Sequence, residues 1–211
     1  EENERLRRQP VGGPVTPPPI EDITATLPRD ADRFLRRQRS DIRYLVIHHT
    51  AVAPTVGMNR IAQSHKARGW PGTLHHYFID GEGKVQQTNP LEDIVDDSKE
   101  WIRQGVNICF AGNFTRDIPN EAQLASGAQL CVWLLQEEEL ELSPEAIKGA
   151  KEFYNTQSPG TQWLEGQKWQ DILLQKVQEM LESAGPASPT ALQDHQIMHM
   201  QSSHASAQRE A

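Results

Sequence analysis

Residues 41–183 predict an α/β domain, a central mixed β-sheet flanked by helices, and three observations carry that reading. The run Ile42 to His48 is apolar and rich in β-branched and aromatic residues, as a buried strand is. His76 to Ile79, the turn Asp80-Gly81-Glu82-Gly83 and Lys84 to Gln87 have the pattern of a hairpin. Segments with helical spacing alternate with these strands, and that alternation places helices on a sheet.

Taken in order, residues 1–40 pass from charged Glu1-Glu2-Asn3-Glu4-Arg5 through Pro10, Pro14, Pro17, Pro18 and Pro19, and read as a semi-extended linker, with an upstream domain of the same chain as its possible partner. Within it, Arg33 to Arg39 fits either a solvated tether or a short basic helix. Met58, Ile61, Ala62 and His65 fall at i, i+3, i+4 and i+7, one face of a short helix. Val106 to Phe114 reads as a strand, with Gly112 at its end or at a close backbone approach. Asn120 with Gln123 resembles a capping box opening a helix whose inner face is Leu124, Ala128, Cys131 and Leu135. Ser143-Pro144-Glu145 predicts the start of another short helix, and Trp169, Leu173, Val177 and Met180 the core face of a last one. Residues 184–211 have no apolar periodicity and are expected to be a disordered tail.

Bulk properties exclude some functions. The net charge of −8 offers no basic field for nucleic acid or anionic lipid, and no apolar run is long enough to span a membrane. The chain begins with Glu, which suggests a fragment or a mature form whose targeting signal is missing. Cys109 and Cys131 read as small buried core residues, with a disulfide as the less favoured alternative.

Chemistry concentrates at His48-His49-Thr50. A histidine leaving a buried strand is well placed to ligate a metal, although the same pair also fits two hydrogen-bonded core residues. Further along come His65 with Gly69-Trp70, then His76-Tyr77-Phe78-Ile79, Ile108 to Phe114, Gly149-Ala150-Lys151-Glu152-Phe153 and Ser158-Pro159-Gly160. Together these motifs, spread from Ile42 to Leu181, closely resemble the type-2 N-acetylmuramoyl-L-alanine amidases, the group that includes the T7 phage lysozyme and the peptidoglycan recognition proteins.

The resemblance implies a zinc cofactor and cleavage of the amide between the lactyl group of N-acetylmuramic acid and L-alanine. It maps the first zinc ligand to His48, but puts Ala150 where relatives carry a histidine and Ser158 where they carry Cys or Asp. A methyl group donates nothing and a neutral hydroxyl is a poor zinc ligand, so zinc is not expected to bind this sequence. A full cage is worth roughly 10–16 kcal/mol, of which one imidazole keeps little.

His75 and Thr156 fall at degenerate catalytic positions, and Asp96 to Trp101 lacks the further groove histidine of many relatives. Because His75 and His76 are adjacent in a predicted strand, at most one of them can face His48. His195, His199 and His204 belong to the polar tail and are not expected to form a site. The groove residues implied are His49, His65, Trp70, Tyr77 and Asn113, with core packing an equal alternative for Trp70 and Tyr77.

The reading that follows is a peptidoglycan-binding domain, inactive as a hydrolase, working outside the cell, in the periplasm or on a phage or cell wall. Alternatives are a zinc amidase with a rebuilt ligand set or an active parent form, and a structural or assembly domain that holds a protein segment in the old groove.

Overall fold

A computed structural model describes residues 13–96, 100–140 and 146–184, with only the backbone described at 100 and 101. Its six-stranded mixed sheet runs β1-β5-β4-β7-β3-β8. The strands are β1 (Ile20–Asp22), β3 (Tyr44–His49), β4 (Tyr77–Ile79), β5 (Val85–Gln87), β7 (Gly105–Phe110) and β8 (Ile147–Gly149). A two-stranded ribbon pairs β2 (Leu35–Arg36) with β6 (Asp93–Ile94). The helices are α1 (Met58–Ala67), α2 (Glu100–Arg103), α3 (Glu121–Glu137) and α4 (Trp169–Ser183). None is long and apolar enough to cross a membrane.

Strand parity decides what each face does. β3, β7 and β4 are parallel, with Ile47, Ile108 and Tyr77 in one row and His48, Cys109 and Phe78 in the next. Because successive side chains point to opposite faces, the first row joins the large core under α3 and α4. The second row faces α1, whose Met58 and Ala62 form a smaller core with Phe78, Cys109 and Ala111. Cys109 and Cys131 thus lie in different cores and both are free thiols.

α3 buries nine of its 17 residues. Leu124, Ala128, Cys131 and Leu135 are buried as its spacing predicts, and so are Leu130, Val132 and Leu134 on its flanks. Its start is the expected capping box: Gln123 N–H donates to Asn120 Oδ1 at 2.9 Å, and Asn120 N–H to Gln123 Oε1 at 3.2 Å. On α4, Trp169, Leu173, Val177 and Leu181 are buried, while Met180 is partly buried beside them. Gly112 has φ +143°, and a Cβ there would lie 2.6 Å from the Phe114 ring.

Three expectations are corrected. Residues 13–40 are not a solvated tether, since β1 pairs with β5 at the sheet edge and Leu27 and Phe34 are buried. Arg33 to Arg39 is neither helix nor free segment: buried Arg37 donates to the carbonyls of Leu91, Arg103 and Gly105, while Arg29 and Arg36 both reach the buried Asp93 carboxylate. Proline-rich composition concealed this because the segment is held by arginine hydrogen bonds and short strands rather than by an apolar stripe. After the predicted helix start at 143–145, which is outside the described residues, the chain forms the strand β8 and not a helix. The expected N-terminal stretch 1–12 and the tail 185–211, with His195, His199 and His204, are also outside the described residues.

Candidate functional site

A cleft of about 290 Å³ opens on the α1 side of the sheet, at the ends of β3 and β4. Its walls carry His48, His49, Thr50, His65, His75, Thr156 and Ser158, and to these the structure adds Arg68, Asp96, Asn107 and Tyr154. Strand β3 delivers His48 and His49, the last turn of α1 delivers His65, and the segment entering β4 delivers His75.

Three imidazoles form a row. The ring centroids of His48 and His75 are 5.2 Å apart, and those of His65 and His75 are 5.7 Å apart. Their hydrogen bonds assign the tautomers, because a ring nitrogen that accepts cannot carry the proton. His48 Nε2 is 2.8 Å from the Asn107 side-chain oxygen, an acceptor, so Nε2 donates and Nδ1 keeps a lone pair. His49 Nδ1 accepts from Phe114 N–H at 3.1 Å, and His65 Nδ1 accepts from Leu74 N–H at 3.2 Å, so both carry the proton on Nε2.

Burial keeps these rings neutral. It pulls His48, His49 and His65 each down to about 4, with the Asn107 bond partly offsetting this at His48. His75 falls well below its ordinary value for the same reason, reinforced by its histidine neighbours. Burial also raises the Tyr154 phenol, which remains a hydrogen-bond donor at neutral pH.

The two positions vacated in the expected zinc cage lie against the same strand end. β8 pairs with β3 with Gly149 opposite Ile47, which sets Ala150 one step on, level with His48. Lys151 N–H donates to Ser158 O at 2.8 Å, and His49 N–H donates to Ser158 Oγ at 3.2 Å. Position 158 is therefore beside His49. The three mapped positions do not fit zinc, because they offer the His48 imidazole, a methyl and a neutral alcohol. Among the described residues, no group of three or more His, Cys, Asp or Glu is placed to hold a metal ion.

The frame around these positions is tightly built. Glu152 accepts from Gly149 N–H at 2.6 Å and from Trp163 Nε1–H at 2.7 Å. A Cβ at residue 149 would lie 2.5 Å from Trp163 Nε1, so only glycine fits there.

Several expected groove residues lie elsewhere. Tyr77 is in the row that faces the opposite core, is only 2% exposed and does not line the cleft. Asn113 is exposed and accepts from Thr115, and Trp70 is half-buried beyond the cleft walls. His76 does not line the cleft: its Nδ1 accepts from Asn107 N–H and its Nε2 donates to Asp93 O. Asn107 went unnoticed in the sequence, although a lone amide between Val106 and Ile108 in an apolar strand is a usable signal. Tyr154 and Arg68 had none.

With this geometry in place, comparison with known proteins gives a consistent answer. Peptidoglycan-recognition protein SA of Drosophila melanogaster is 28% identical over 144 residues, covering 64% of this chain and 70% of that protein. The endolysin of Escherichia phage T7 is 27% identical over 111 residues, 47% of this chain and 70% of its own length. The endolysin of the Thermus scotoductus bacteriophage Ph2119 shares the fold, with a TM-score of 0.62 at 22% identity over 75% of this chain and 99% of that one. Residues 38–161, more than half of the chain, match the family model described as N-acetylmuramoyl-L-alanine amidase, and the chain belongs to that family.

Proposed function

We propose that this domain binds peptidoglycan through the amidase cleft without zinc and without hydrolysing it. The observation that carries the reading is Ala150 and Ser158 set against His48-His49, where a zinc site needs two further strong donors. A cleft that loses such donors keeps its shape when the frame around them persists, as Glu152, Trp163 and Gly149 do here.

What remains suits a glycan-peptide. The His49 and His65 Nε2–H groups donate, the His48 Nδ1 lone pair accepts, and Thr156 and Ser158 can do either. Sugar hydroxyls and peptide amides present complementary groups, and a few convergent polar groups in a concave site fix orientation. A relative named for peptidoglycan recognition supports the ligand class. The domain would then act wherever cell wall is exposed to it.

Sedimentation with purified sacculi, combined with an assay for released peptide, tests the reading. The expected result is protein in the pellet and no peptide in the supernatant. Protein left in the supernatant would favour an assembly domain that binds a protein segment, and peptide release with one zinc per chain would identify a working amidase.

A further inference from the structure

The last turn of α1 and the C-cap residue after it bring two donors to the cleft wall. His65 Nδ1 is occupied by Leu74 N–H, so its proton is on Nε2, which has no acceptor among the described residues. One turn on, the exposed Arg68 lines the same cleft, and its guanidinium makes no hydrogen bond or ion pair among the described residues. Arg68 is the C-cap residue of α1, three positions after His65, and both side chains line the cleft.

The backbone beneath them is held firmly. Arg68 N–H and Trp70 N–H both donate to His65 O, Gly69 N–H donates to Lys66 O, and Gly69 has φ +92°, a left-handed conformation that favours glycine. A guanidinium on such a base matches a planar anion with two parallel N–H bonds, which an amide cannot reproduce. Among the described residues that line the cleft, Asp96 is the one carboxylate, and it has interactions of its own.

We propose that His65 and Arg68 read a free carboxylate on the ligand, so that the cleft selects acidic stem peptides over amidated ones. This inference rests on the peptidoglycan reading above. Arg68 supplies the charge and His65 Nε2–H the second donor, while the inner cleft takes the neutral part of the ligand.

The test is titration of the purified chain with N-acetylmuramoyl-L-alanyl-D-glutamate and with its diamide. The acid should bind about tenfold more tightly, the scale of one screened charge-assisted bond. Arg68→Gln should remove that preference, and Arg68→Lys should keep part of it, since charge survives without the fork. Equal binding of both probes, or a preference that persists in Arg68→Gln, overturns the inference and leaves the peptidoglycan reading standing. Binding to sacculi with neither soluble probe bound likewise overturns the inference alone. If neither sacculi nor probes bind, both readings fall.

Discussion

Asn107 holds the site together from below. Its side-chain oxygen accepts from His48 Nε2–H, while its backbone N–H donates to His76 Nδ1, so one residue fixes two rings. Replacing it with leucine, a side chain of similar size without the acceptor, should cost about 1–2 kcal/mol in chemical unfolding, because a buried donor loses its partner. The same variant should lose the protected His48 Nε2–H signal in an imidazole nitrogen NMR spectrum. Supplying donors at the two mapped positions is a separate test: Ala150→His with Ser158→Cys should bring bound zinc to about one per chain by elemental analysis. Zinc recovered without amide hydrolysis would place the remaining loss at His75 or elsewhere in the cleft. At this scale the sequence showed the His48-His49 pair directly, and the family resemblance mapped His65, His75, Thr156 and Ser158. It did not show Tyr154 or Arg68, whose relevance arises only when distant segments meet at the cleft.

The elements explain where the reading from sequence held and where it failed. β3, α1, the β4–β5 hairpin, β7, α3 and α4 bury regular apolar stripes, and periodicity reports such stripes directly. β1 and β2 are three and two residues long and mostly exposed, so no periodicity could reveal them. Tyr77 was misplaced because strand parity, fixed by its row with Ile47 and Ile108, puts it on the face away from His48. The N-terminal segment is anchored by Arg37, and its removal should be felt well beyond residue 40. Arg37→Met would remove a donor from the carbonyls of Leu91, Arg103 and Gly105. Gly105 O keeps the Asn107 Nδ2–H donor, so the expected loss is about 2 kcal/mol or more, at roughly 1 kcal/mol or more for each of the other two carbonyls, measured as a lower urea midpoint. Because Arg37 Nη2 is 3.3 Å from His76 Nε2, the disturbance should also reach Asn107 and reduce ligand binding.

For the molecule as a whole, the neutral histidines set the response to acid. His48, His49 and His65 have folded values near 4 against an ordinary 6.5, and burial also depresses His75 and His76. The unfolded chain therefore binds more protons than the folded one between pH 6.5 and about 4. Stability from these groups is complete above pH 6.5 and is lost as the pH falls toward 4. Between pH 7 and pH 5 the expected loss is on the order of 2 kcal/mol for each fully shielded ring, seen as a urea midpoint that falls with acidification. The overall α/β architecture was legible because its core is built from periodic elements. The zinc proposal turns on two side chains, Ala150 and Ser158, the latter bonded through its Oγ to His49 N–H. Recognition without a metal can be checked by the fraction of protein that sediments with sacculi, compared in excess chelator and in added zinc. The same bound fraction is expected in both. Binding that vanishes in chelator and returns with zinc would mean that recognition depends on a metal after all.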